Sequence, residues 1–250
     1  MSDKLQTVAQ TALEQAKKAG ADAADVVLVR GTSVSINVRA GALEQAERSE
    51  GVDIGLRVLI GQKAAVVSAS DISDATVQAM AERAIAMARE APEDATLGLA
   101  DPDQLAKNLD AGALDLVDPE PEPDPAALQA AAIEAEEAAL AVKGVAQTQG
   151  ATAAYGEREI VLAATNGFSG GYARTDHGLS CVSIAGTGTG MEREYDGDMR
   201  LHRGDMRSAT EIGRISGERA VAALDARKPP TGTFPVLYDE RISSSLIGHL

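Results

Sequence analysis

The order of apolar and polar positions along this chain changes period several times, and each change predicts a new element. Leu5, Val8, Ala9, Ala12, Leu13 and Ala16 recur with helical spacing and predict a helix over 3–19. Ser2 or Asp3 can cap it, Lys17 and Lys18 suit its carbonyl end, and Gly20 can end it. The period then falls to two. "DVVLVRG" is a short apolar run, and "SVSINVRAG" alternates Val34, Ile36 and Val38 with Ser33, Ser35, Asn37 and Arg39. "VDIGLRVLIG" sets Val52, Ile54, Leu56, Val58 and Ile60 on one face, and "KAAVVSAS" closes the set. Short connections containing glycine predict an antiparallel meander of about four strands. Helical spacing returns after Ser73, with Val77, Met80, Ala81, Ala84, Ile85 and Ala88 on the stripe.

Residues 92–125 break the pattern. In "DPEPEPDP" (Asp118–Pro125) proline fixes φ while the acids repel, which predicts an extended, polyproline-like linker. The alternative is a surface loop inside one domain. Beyond it, "PAALQAAAIEAEEAALAV" predicts a third helix. "VAQTQGATAAYGE", "REIVLAATNG", "LSCVSIAGTGTG" and the polar "MEREYDGDMRLH" predict strands, and a fourth helix spans about Ser208–Leu224. Lys228–Gly232 is a second break, after which "TFPVLYDE" reads as a strand and "RISSSLIGHL" as the start of a helix. The expected class is α+β, with two helix–antiparallel-sheet–helix units followed by the start of a third, truncated β-rich domain. The expected division is an N-terminal domain 1–91, an acidic Pro-rich linker 92–125, a central domain 126–227 and the opening of a C-terminal domain 228–250.

Composition narrows the function. Hydrophobic residues are 44% of the chain and aromatics only 2%, so Ala, Val, Leu and Ile must fill the core. A formal charge of −15 repels phosphate backbones and argues against nucleic acid. One cysteine, Cys181, rules out an intramolecular disulfide. The N-terminus lacks the apolar region of a secretory signal, and no run approaches the roughly 20 residues that cross a bilayer. The expected location is the cytoplasm, away from membranes.

Several stretches carry candidate chemistry. "GTGTG" (Gly186–Gly190) misses the spacing of phosphate-binding loops and leads into no helix, so a turn is the better reading. Glu192, Glu194, Asp196 and Asp198 alternate, which puts four carboxylates on one strand face. They could hold a hard cation, but the pattern lacks the glycine and distal glutamate of a calcium loop, and a solvated face is favoured. Asp176, His177 and Cys181 are close enough to suggest a Cys/His nucleophile. Against that, Cys181 falls with Leu179 on a half-buried strand, and His177 falls in a polar turn. His202, between Arg200 and Arg203, reads as surface. His249 closes the apolar "SSSLIGHL" (Ser243–Leu250). A helical zinc peptidase needs two histidines and a glutamate on one helix. Here a single histidine follows serines, whose neutral hydroxyls are poor zinc ligands and no general base. A packed or capping role suits it better.

These stretches, in order, resemble the TldD/PmbA family, a group named for modulation of DNA gyrase and linked to peptidase activity. The likeness runs from Ala12 to Asp71, through "LADPDQLA" (99–106), "TNGFSGGYARTDHGLSCVSIAG" (165–186) and "MEREYDGD" (191–198), to "ARKPPTGTFPVLYDERISSSLIGHL" (226–250). Order and spacing carry it, not one sharp motif. TldD-like members carry H-E-x-x-x-H, and PmbA-like members, also called TldE, lack it. Aligned on His249, the first motif histidine falls on Ser244 and the glutamate on Ser245. The resemblance therefore implies a non-catalytic TldE/PmbA-like subunit with no catalytic, cofactor-binding or metal residues of its own. It also implies zinc in a TldD-like metallopeptidase partner, and unfolded peptides as substrates. Family members continue past this point, so the chain is expected to be a truncated portion. One alternative is a zinc metallopeptidase whose other ligands lie outside these residues. The other is a stand-alone binding or modulator protein.

Overall fold

The structure is a computed structural model and describes residues 3–249. The first unit consists of α1 (Asp3–Ala19), β1 (Ala23–Arg39), β2 (Ala42–Ile60), β3 (Lys63–Ala69) and α2 (Asp74–Glu90). The second repeats that order with α3 (Pro125–Leu140), β4 (Val145–Ala164), β5 (Ser169–Ala185), β6 (Glu192–Arg200) and α4 (Ala209–Ala222). Two single turns follow, α5 (Glu240–Ser243) and α6 (Ser245–Gly248). The α+β class holds. The expected Ser2 cap lies outside the described residues, as does the side chain of Asp3.

Each unit has three long strands, where the sequence pattern predicts about four. "DVVLVRG" and "SVSINVRAG" are one strand, β1, running through Gly31. "VAQTQGATAAYGE" and "REIVLAATNG" likewise merge in β4, and β5 begins at Ser169, well before "LSCVSIAG". The polar residues taken for strand breaks keep extended backbone because both neighbouring strands continue past them. Arg30, Gly31 and Thr32 pair with Glu50–Val52 on one side and with Glu157–Glu159 on the other.

All six strands form one antiparallel sheet in the order β3-β2-β1-β4-β5-β6. The two units meet at β1 and β4, paired from Asp25–Ala164 to Val38–Ala151. Successive side chains alternate faces, so Ala24, Val26, Leu28, Val34, Ile36 and Val38 point the same way. The first three pack with α1 and α2 in one core, and Ile36 and Val38 pack with α3 and α4 in another. Both helix pairs therefore cover the same face, at opposite ends of the strands. The helical stripe of α2 is buried as its spacing predicts, at Val77, Met80, Ala81, Ala84, Ile85 and Ala88. Ser73, Asp124 and Ser208 cap α2, α3 and α4 by accepting backbone N–H bonds.

A buried carboxylate ties the units together again. Ala40 and Gly41, at the tip of the β1–β2 hairpin, both have positive φ, as a two-residue hairpin turn requires. Their amides donate to Glu136 of α3 at 2.9 and 2.7 Å, and the Thr148 hydroxyl donates to the same carboxylate. Residues 92–124 hold two short 3-10 turns and are fastened along their length. Asp94 N–H donates to Gln62, the Asn166 amide donates to Ala100, and Thr175 N–H donates to Leu116. "TFPVLYDE" is not a strand: 233–239 carry no regular structure and Glu240 already belongs to α5. No strand among the described residues lies beside it to accept a ladder, and Leu237 is fully exposed at 100%. Among the described residues no helix is long and apolar enough to cross a membrane.

Helices α3 and α4 run parallel and touch through glycine. Contacts advance together along both, from Thr210 with Glu134 to Gly217 with Ala139. A Cβ at Gly213 would fall 1.9 Å from the Ala135 carbonyl oxygen, so the helices would have to part. Gly213→Ala is expected to lower stability by about 1–3 kcal/mol in urea unfolding. The same change at Gly204, which meets nothing within 4 Å, is expected to be nearly neutral.

Candidate functional site

His249 sits at the end of the C-terminal turns. Asp239 caps α5, and Arg241 fastens it to β6, with Nη1 3.3 Å from Glu194 Oε2 and donating to the Tyr195 carbonyl at 3.1 Å. Its guanidinium also lies 5.1 Å from the Tyr195 ring centre. The helix is interrupted at Ser244, so residues 240–248 form two turns and not one continuous metal-binding helix. The Ser243 hydroxyl donates to Glu240 O at 2.9 Å and the Ser245 hydroxyl to Ile242 O at 2.6 Å. Such back-bonding occupies the hydroxyl proton and bends helices. His249 follows α6 at its C-cap and is exposed. Among the described residues no three His, Cys, Asp or Glu side chains converge as a metal site. One imidazole beside serines does not fit zinc, which needs at least three protein donors.

The alternating acids of β6 do share one face, but the solvated reading is overturned. The register sets Asp196 opposite Cys181 and Asp198 opposite Leu179, on the helix-covered face. Asp196 is only 3% exposed and meets two arginines, Arg207 at 2.9 Å and Arg219. Asp198 accepts the Arg207 amide at 2.9 Å, and Arg200 Nε lies 3.1 Å away. Against the cost of burial, these partners hold the Asp198 carboxyl below the usual range. Arg241 takes Glu194. Glu194, Asp196 and Asp198 are thus paired with arginines from other segments of the chain. "GTGTG" is a turn between β5 and β6, as expected, with a short 3-10 turn at Gly188–Gly190.

His177 and Cys181 both lie on β5, where the sequence pattern expects a polar turn for the histidine. They are four residues apart on the covered face, with Leu179 between them, so they do not pair. Cys181 is fully buried, the Ser216 hydroxyl donates to its carbonyl at 2.9 Å, and burial pushes its thiol up to about 11. His177 packs on Tyr155, ring centres 5.2 Å apart, with Nε2 3.1 Å from Asp118 Oδ2. Burial pushes the imidazole down from its ordinary value, outweighing the Asp118 charge. Asp118, inside the proline–acid stretch, is itself buried. The amides of Arg203 and Glu120 donate to it and hold its carboxyl low. His202 is partly covered and not simply surface, with Nε2 2.9 Å from the Asp115 carbonyl.

One feature escaped the sequence reading. Between the helix pairs the covered face is bare, and the gap is a groove of about 800 Å³. Arg30, Thr32, Glu50, Val52, Glu157 and Glu159 line it, with Arg30 on Glu159 at 2.7 Å. The signal was present in the alternation. In β1 the buried series Leu28–Val34 is interrupted by Arg30 and Thr32, and in β4 the apolar series Tyr155–Val161 is interrupted by the exposed Glu157 and by Glu159, which is itself buried. Those positions match across the ladder, so the polar gap marks uncovered sheet.

Residues 24–88 match the model for PmbA/TldA metallopeptidase domain 1, and residues 118–224 match that for the PmbA/TldA metallopeptidase central domain. The chain is 32% identical over 250 residues to Metalloprotease PmbA of Escherichia coli O157:H7, covering 98% of this chain and 54% of that protein. It is 28% identical over 239 residues to a Metalloprotease PmbA homolog of Haemophilus influenzae, covering 95% and 52%. The chain thus spans about half the length of these curated relatives. A crystal structure from Bacteroides thetaiotaomicron, described as a proposed modulator of DNA gyrase, superposes with a TM-score of 0.82 at 22% identity, covering 99% of this chain and 56% of that one. TldE from Thermococcus kodakarensis gives 0.66 at 16% identity, covering 86% and 46%. At these identities the structures speak for the fold alone.

Two outcomes are expected. Cys181 stays unlabelled by a thiol reagent at neutral pH in the folded protein and reacts at once in denaturant; labelling at the rate of a free thiol in the native state contradicts its burial. His177 has a folded value below its unfolded one, so its contribution to stability is present above about pH 6.5 and is lost as pH falls through the folded value. His177→Gln is expected to flatten that part of the stability–pH curve, read by urea unfolding on both sides of pH 6.5.

Proposed function

Because the chain belongs to the TldD/PmbA metallopeptidase family, we propose that it forms the first two segments of a TldE/PmbA-like subunit without a catalytic zinc of its own. Its work is to support a zinc-bearing, TldD-like partner that cleaves unfolded peptides in the cytoplasm. One observation carries this reading. Where a metal helix would present two ligands and a base, this chain presents His249 with Ser244 and Ser245 at the other two positions, and the Ser245 hydroxyl is bound to the Ile242 carbonyl of its own turn. Such a turn supplies neither a ligand set nor a group able to take a proton from water.

The groove supports an enclosing role. Its volume suits several side chains of an extended peptide, and its carboxylates favour basic ones. A second reading rests on the relatives' printed name of metalloprotease: the protein could hold zinc through His249 and ligands from elsewhere in a longer chain.

Metal analysis separates the two. After stripping and reloading, the protein is expected to retain no stoichiometric zinc and to leave an unfolded peptide intact. Cleavage is expected to appear when a zinc-loaded TldD-like subunit is added. One tightly held zinc, with cleavage by this protein alone, would establish the second reading.

A further inference from the structure

Helix α3 starts ahead of α4. Thr210, in the first turn of α4, bonds to Glu134 beyond the middle of α3, so about two turns of α3 project past the start of α4. Side chains do not fill the space beside that overhang. It remains a cavity of about 320 Å³, within the range of small-molecule sites. Leu128 and Ala131 of α3, Leu179 of β5 and Met206 make most of it apolar. His177 and Arg203 make one end polar, where the His177 ring and the Arg203 amide meet the same oxygen, Asp118 Oδ2, at 3.1 and 2.7 Å.

Groups at this end lack partners. His177 is only 5% exposed, yet its Nε2 does not meet Asp118 at a hydrogen-bonding angle, and Nδ1 has no partner among the described residues. The Arg203 guanidinium makes no ion pair among the described residues. Ser208 caps α4 through the Glu211 amide, which leaves the first-turn amides of Ala209 and Thr210 free on the cavity's wall. The nearby acids are already taken, Asp118 by the amides of Arg203 and Glu120 and Glu134 by the Thr210 hydroxyl. A buried polar ring without a partner is costly, so it marks a place where something else supplies the bond.

We infer that this cavity binds a small monocarboxylic acid with a branched aliphatic body. The body lies against Leu128, Ala131, Leu179 and Met206, and the carboxylate faces the polar end. There Arg203 supplies the opposite charge, and the imidazole N–H and the free amides of α4 supply donors. The pieces match in number as well as kind. One unpaired guanidinium asks for one negative charge, and a phosphate would bring more charge and no apolar part to fill the space. A neutral ligand of the same shape would leave Arg203 unmatched. The site is separate from the groove and independent of the zinc reading.

Titration with isocaproate, followed by NMR of the histidine rings, tests it. The His177 signal is the one missing from H177Q, and isocaproate is expected to shift it in a saturable way. Isocaproamide, with the same body and no charge, and acetate, with the charge and no body, are each expected to bind at least about tenfold more weakly. Arg203→Ala, at an exposed side chain, is expected to weaken isocaproate about tenfold with circular dichroism unchanged. Ala131→Leu, which fills the cavity, is expected to abolish the shift. A His177 signal that isocaproate leaves in place overturns the proposal. So does an amide that binds as tightly as the acid, or an Arg203→Ala protein that binds like the wild type; both outcomes can be read even if Ala131→Leu fails to fold.

Discussion

The antiparallel ladder between β1 and β4 is the constraint on which the rest depends. It runs from Asp25–Ala164 to Val38–Ala151 and turns two three-stranded sheets into one. Because it fixes register, it decides which side chains of both units share a face, and a slip of one residue would turn every core position outward. Both helix pairs therefore land on one side, and the gap between them becomes a groove. Glu136 closes the same junction from α3 by taking the hairpin amides of Ala40 and Gly41.

Charge is handled inside this frame by pairing across segments. The chain carries a formal charge of −15, yet its buried acids each meet donors far away in sequence. Asp196 takes Arg207 and Arg219, Asp118 takes the Arg203 amide, and Glu136 takes the hairpin turn. A buried ion pair is a weak source of net stability, but breaking one costs several kcal/mol because the remaining charge is stranded. These pairs act as registry pins that hold the linker, α4 and the C-terminal turns at set places on β5 and β6. Chemistry that looked possible in the sequence, a cation on the β6 acids or a nucleophile at Cys181, is consumed by this packing.

The two ends of the second unit differ in how they are held. His177 on β5 meets Asp118 of the linker away from solvent, and both serve the fold. His249 sits in the open on turns held mainly through Arg241.

Much of this was legible in residue order. Period alone predicts the four long helices, the buried stripe of α2 and the α+β class, because those depend on contacts within a turn or two. The residues around His249 also show directly that the usual ligand pattern is missing, since ligand chemistry belongs to residue type. Other features required the third dimension. Arg30 and Glu157 look like strand ends when read alone, and only pairing with neighbours on both sides shows that the strands continue and the helices stop. The β6 acids look solvated until arginines distant in sequence are brought over them. A single chain records what each residue prefers. Which partner meets that preference is set by strand register and by where the helices lie, and both arise from contacts between residues from about ten to more than a hundred positions apart.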